Sequence, residues 1–223
     1  WIKGSDYKIR LSAASSGYQS VLPLSLITRF LSDLVLDNAN KEDLSIKEKK
    51  QIEKEVNKVM NDKSLTDGVK FAMLRNISSR FKYSCFVNIV EEMELNLYPE
   101  SQRSVLFDLL SYANKIELNR LVLTTHSPYV INYLTLAAKA FLLTQKISAN
   151  ETLQERIKEV VPADSAIDPA RLRIYELKDG GVFRLSTYEG LPSDENFLNI
   201  QLGVTNELFD QLLEIEQEFD YKN

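Results

Sequence analysis

The sequence predicts an α/β fold, a mostly parallel sheet flanked by helices, and three observations carry that prediction. Two short runs rich in β-branched and aromatic residues, 85–90 (CFVNIV) and 121–125 (LVLTT), stop abruptly at polar residues, the pattern of central strands buried on both faces. Between them, residues 100–116 place Val105, Leu106, Leu109, Leu110 and Ala113 at helical spacing. A strand, a helix and a strand in that order form a unit expected to be parallel and right-handed. Further on, residues 171–177 and 182–188 flank Asp179-Gly180-Gly181, the chemistry of a β-hairpin turn.

The remaining elements follow in order. Residues 11–17 (LSAASSG) make a polar turn, and residues 19–36 then carry Val21, Leu22, Leu24, Leu26, Ile27, Phe30, Leu31 and Leu34, which predicts a helix with a wide buried face. In residues 41–58, 11 of 18 side chains are charged, leaving a thin apolar stripe and an exposed helical arm. A third helical pattern over residues 65–81 completes a helical insertion spanning 37–82 within one domain of 223 residues. Residues 137–144 read as a third strand, and residues 204–219 as an acidic amphipathic helix. No internal repeat interrupts this order.

Composition bounds the function. A hydrophobic content of 44% excludes a disordered chain. A formal charge of −5, from 27 basic and 32 acidic residues, gives no general attraction for nucleic acid. The single cysteine, Cys85, rules out a disulfide framework or a cysteine zinc site and suits a reducing cytoplasm. No apolar stretch reads as approaching the roughly 20 residues of a membrane span, and no signal peptide is evident, so a soluble, cytoplasmic protein with no membrane partner is expected. The chain starts at Trp1 and its methionines are Met60, Met73 and Met93, so it reads as a segment of a longer protein.

Three short motifs carry chemistry. Ser15-Ser16-Gly17 stands at a helix start, where a hydroxyl can cap the helix and free backbone N–H groups and the positive dipole end favour an anion. Glu91-Glu92 ends the first strand, followed by Met93 and Glu94. Ligands of open α/β sheets bind at such strand ends; one carboxylate can hold Mg²⁺ while the other orients or deprotonates water. Thr124-Thr125-His126-Ser127-Pro128 ends the second strand with the only histidine in the chain, an imidazole suited to a phosphate oxygen or an attacking water. Read singly, each has an ordinary alternative: a helix cap, a solvated acidic loop, a packing histidine. Their order and placement at adjacent strand ends bring them together.

In that order the motifs Ser15-Ser16-Gly17-Tyr18-Gln19, Glu91-Glu92-Met93-Glu94-Leu95-Asn96-Leu97-Tyr98-Pro99 and Thr124-Thr125-His126-Ser127-Pro128 resemble those of an ABC-type ATPase head. The resemblance is to the C-terminal half of the AAA-domain group that is similar to the OLD, RecF and SMC proteins, with the family patterns SSG-x-Q, EEPE-x-x-LHP and TTHSP. It spans residues 11 to about 135 and implies a P-loop NTPase-like lobe that works with ATP and Mg²⁺ as a dimerising switch, in processes such as DNA repair or anti-phage defence. Carried over, it implies that Ser15, Ser16, Gly17 and Gln19 serve a nucleotide held by the opposing protomer. It further implies that Glu91 binds Mg²⁺, Glu92 is the general base and His126 senses the γ-phosphate. Glu94, Asn96, Tyr98 and Pro99 would form the loop that meets the partner. Met93 stands where the family has proline, and Tyr98 where it has histidine.

No glycine is followed by lysine, so the chain contains no G-x-x-x-x-G-K-[ST] phosphate loop. The expected partner is therefore an N-terminal P-loop lobe of the same protein, and the chain alone is expected to hydrolyse almost no ATP. Two other readings use the same residues: a metal-dependent nuclease built on Glu91, Glu92, Glu94 and Glu100, and a non-catalytic module that binds an effector protein. DNA stays open as a partner.

Overall fold

The structure, a computed structural model, describes residues 1–40, 46–79, 84–148 and 150–222. In chain order its elements are β1 (Ile2–Lys3), β2 (Lys8–Ile9), α1 (Ser16–Asn40), α2 (Ile46–Asn61), α3 (Asp67–Ser79), β3 (Val87–Glu91), α4 (Pro99–Asn114), β4 (Arg120–Thr124), α5 (Pro128–Lys146), α6 (Glu151–Val160), β5 (Tyr175–Lys178), β6 (Gly181–Arg184), β7 (Thr187–Tyr188), β8 (Leu191–Pro192) and α7 (Phe197–Lys222).

The central unit is β3–α4–β4. The strands pair in parallel, Ile89 opposite Val122 and Glu91 opposite Thr124, and α4 is the crossover between them. Both α4 and α5 open on a proline, Pro99 and Pro128, whose missing N–H would have had no intrahelical partner and whose fixed φ suits the first turn. Their apolar stripes meet one face of the strand pair: Val90, Leu121 and Leu123 pack with Leu106, Leu109 and Leu110 of α4 and with Val130, Leu134 and Ala137 of α5. Val161, just after α6, joins this core. Each fully buried leucine or valine here contributes about 1.5–3 kcal/mol by leaving water. The hairpin forms at the predicted turn but with shorter strands: β5 and β6 are antiparallel, joined through Asp179 and Gly180, both at positive φ, as a type I′ turn needs, while residues 187–188, expected in the same strand, pair with β8 instead.

Several expectations are corrected. Residues 137–144 are not a strand; they lie inside α5. Ala137, Ala138 and Ala140 are strong helix formers, and an apolar run of that length does not reveal its period. Among the described residues there is no continuous parallel sheet: β3 and β4 are the one parallel pair, and the other strands form three two-stranded antiparallel ladders. The pair is also covered on one face only, since Val87, Ile89 and Val122 are 58%, 68% and 47% exposed.

The helix α1 begins where the polar turn predicts, but its buried stripe is Thr28, Ser32 and Val35, while Leu26, Ile27 and Phe30 face out. The small polar side chains let α1 lie close to the strand pair and to α4, where Asn88 Nδ2 donates to Thr28 Oγ1 at 3.0 Å and Lys115 Nζ bridges to Asp33 Oδ1 at 2.9 Å. Its Ser16–Asp37 stretch is, contrary to the sequence expectation, long and apolar enough to cross a membrane by length and composition alone.

In the insertion, α2 and α3 pack on each other, burying Val59 and Ile77. Residues 41–45, the start of the predicted charged arm, lie outside the described residues, as do 80–83.

Candidate functional site

Parallel strands in register end side by side, so the residues following β3 and β4 become neighbours. Glu92 follows β3 in a left-handed conformation, φ 47°, uncommon for a residue with a side chain and a local strain that needs support. Two hydrogen bonds hold it: its N–H donates to the carbonyl of Thr124 at 3.0 Å and to Thr124 Oγ1 at 3.2 Å. The turn aims the Glu92 carboxylate across the gap, where Oε1 lies 3.4 Å from His126 Nε2. The imidazole is 83% exposed and the carboxylate 47% exposed, so both are open to an incoming ligand.

Beneath this pair a polar clamp ties the two loops. The His126 N–H donates to Glu94 Oε1 at 2.6 Å, and Glu94 Oε2 is buried with no hydrogen-bond partner among the described residues. Ser127 Oγ donates to Gln102 Oε1 at 2.6 Å, and Gln102 Nε2 donates to the carbonyl of Leu97 at 3.0 Å. Ser127 N–H is held by Thr125 Oγ1 at 3.0 Å. The loop after the paired acids and the loop bearing His126 therefore share one hydrogen-bonded base, with Met93 buried below it. The Ser127–Gln102 bond is the buried part of this network, where low dielectric strengthens a satisfied hydrogen bond.

The serine turn meets the same loop. A Cβ on Gly17 would stand 2.9 Å from the carbonyl oxygen of Asn96 and 3.3 Å from Leu97 Cδ2, so only glycine permits this approach. Asn96 is itself left-handed, φ 60°, a conformation asparagine tolerates better than most residues. Ser15 and Ser16 remain exposed, and Ser15 stands immediately before the first turn of α1, its carbonyl accepting from Gln19 N–H at 3.0 Å. Gln19 turns back instead, its Nε2 donating to the carbonyl of Ala14 at 2.7 Å and so fastening the turn.

Of the predicted residues, then, Glu92 and His126 are joined directly, and Gly17 and Asn96 pack together. Glu94 turns inward as a clamp. Tyr98 and Glu91 are exposed and Pro99 is half-buried, and among the described residues none of the three is joined to the Glu92–His126 pair by a hydrogen bond or ion pair. No group of three or more acidic, histidine or cysteine side chains suited to a metal forms among the described residues, so Glu91, Glu92, Glu94 and Glu100 are not gathered into one cluster. A single exposed carboxylate at a strand end does fit Mg²⁺, which keeps most of its waters and takes its other ligands from phosphate oxygens.

Sequence reasoning missed Gln102 and Thr28. Each is polar on an otherwise apolar helical stripe, Gln102 three and four residues before Val105 and Leu106, and that placement is the signal that could have found them. Comparison of the chain with protein-family models, with curated proteins and with solved structures finds no match.

Proposed function

We propose that this chain is the C-terminal lobe of an ABC-type, ATP-driven dimerising switch, a P-loop NTPase whose phosphate loop is supplied by an N-terminal lobe. The observation that carries the reading is the Glu92–His126 pair, 3.4 Å apart at the carboxyl ends of two parallel strands. Glu92 orients a water and accepts its proton as the water oxygen attacks the γ-phosphorus and the bond to the β,γ-bridging oxygen breaks. His126 donates a hydrogen bond to the phosphoryl oxygens, and its contact with Glu92 makes it responsive to whether that carboxylate is engaged. Glu91 would hold Mg²⁺, which when bound would supply positive charge to the phosphates. The exposed Ser15 and Ser16 and the first-turn amides of α1 face the γ-phosphate of a nucleotide held by the opposite protomer.

The uncovered face of β3 and β4 supports the same reading, because Val87, Ile89 and Val122 are an apolar surface of the kind a P-loop lobe would cover. In the protein carrying its P-loop lobe, Glu92→Gln should abolish steady-state hydrolysis while leaving ATP bound; unchanged turnover in that variant would contradict the assignment. This chain by itself should show no ATP turnover above background, and phosphate release at an ordinary enzymatic rate would overturn the division of labour between the lobes. Action in DNA repair or anti-phage defence, in the cytoplasm and through an effector protein or DNA, belongs to the same proposal.

A further inference from the structure

Away from the strand ends, α5 and α6 leave an open groove of about 520 Å³. Its floor is Ala140, and its walls are Leu136 and Leu143 of α5 and Leu153, Ile157 and Val160 of α6. On α5 the stripe runs 136, 140, 143 and on α6 it runs 153, 157, 160, the alternating four–three spacing of helices that accept a third by knobs-into-holes packing. Lys139 and Arg156 stand on the rim, with Glu159 the one acid there.

The helix α7 presents a matching, largely exposed stripe. Leu208, Leu212 and Ile215 repeat the same four–three spacing and are 55%, 63% and 64% exposed. Glu207 and Glu216 flank that seam on its two sides, and between Phe197 and Lys222 the helix holds six acids, Glu207, Asp210, Glu214, Glu216, Glu218 and Asp220, against Lys222. Its first turn is pinned elsewhere on its own chain: Phe197 N–H donates to Glu176 Oε1 at 2.6 Å, and Asn199 Nδ2 donates to Asn132 Oδ1 at 3.4 Å, one turn before Leu136 on α5. Among the described residues, none of α7 lines the groove of its own chain.

We infer that α7 of one copy seats in the α5–α6 groove of a second copy, with Leu212 over Ala140 and Glu207 and Glu216 near Lys139 and Arg156. Spacing, apolar character and charge are complementary on the two surfaces, and a reciprocal exchange makes the contact twice, as a twofold-symmetric dimer requires. This contact is independent of ATP and of the strand-end site.

Sedimentation of the full chain in nucleotide-free buffer tests it. The unaltered chain should show a concentration-dependent dimer. The groove variant Lys139→Glu/Arg156→Glu and the helix variant Glu207→Lys/Glu216→Lys change exposed side chains only, and each alone should dimerise about tenfold more weakly or worse, since like charges then face each other. Mixed together, the two variants should recover the dimer, because each altered groove then meets an oppositely altered helix. A chain that stays monomeric over the same concentration range overturns the inference, as does a dimer indifferent to both variants or a mixture that fails to recover. Circular dichroism of each variant verifies that the fold is intact.

Discussion

At the scale of single residues, the site depends on atoms that hold loops rather than on the chemical groups alone. Gly17 is the clearest case: its missing Cβ lets α1 approach the carbonyl of Asn96. Gly17→Ala should push the serine turn away from the loop after Glu92 at a cost of about 1–3 kcal/mol, read as a lowered denaturation midpoint, and an unshifted midpoint would show that the approach is not tight. Asp108 gives a pH-dependent case. Burial, and then the nearby Asp164, raise its carboxyl above the ordinary value of 3.8. The charged form is therefore disfavoured in the fold, and the penalty is present above the folded pKa and absent below 3.8, where the group is protonated whether folded or not. Asp108→Asn should stabilise the chain near neutral pH and make no difference at pH below 3.8; thermal midpoints at both conditions check the sign.

At the scale of elements, α4 acts as the frame of the site. Its Pro99 start fixes where the loop after Glu92 must end, and its Gln102 reaches both that loop, at Leu97, and Ser127 beside the histidine. Replacing Gln102 by leucine would leave the Ser127 hydroxyl buried without its acceptor, a loss of about 1–3 kcal/mol. The test is whether His126 also loses its alignment with Glu92, read as a changed imidazole chemical shift by NMR at fixed pH; a merely structural loss would leave that signal where it was. The strand–helix–strand unit, the hairpin at Asp179-Gly180 and the acidic last helix were legible because period and turn chemistry are local signals. The helix over residues 137–144 was not, because alanine-rich apolar runs suit either period. Nor was the inverted face of α1, because which side of a helix is buried depends on what it packs against. Thr28 and Ser32 are chosen by the close approach to Asn88 and α4, which no window of sequence contains.

At the scale of the whole molecule, the apolar surfaces outside the core are the most informative feature. The open face of β3 and β4, the outward stripe of α1 and the seam of α7 together leave Ile89, Phe30 and Leu212 in water, apolar surface of the kind that marks contact sites. We propose a P-loop lobe as the cover of the open strand face and a second copy as that of the α7 seam. The motifs at the strand ends were visible in sequence because they are contiguous; their assembly was not, because it rests on the register of two strands and on the Glu94 and Gln102 clamp beneath them.

In the proposed switch, each nucleotide is served by Glu92 and His126 of one protomer and by the serine turn of the other. In the protein carrying its P-loop lobe, Ser16→Arg and Glu92→Gln should each abolish hydrolysis alone. Mixing the two inactive proteins should restore ATPase activity, because every mixed dimer then contains a composite site with an intact Glu92 from one chain and an intact Ser16 from the other. A mixture as inactive as its components would contradict a site shared between protomers.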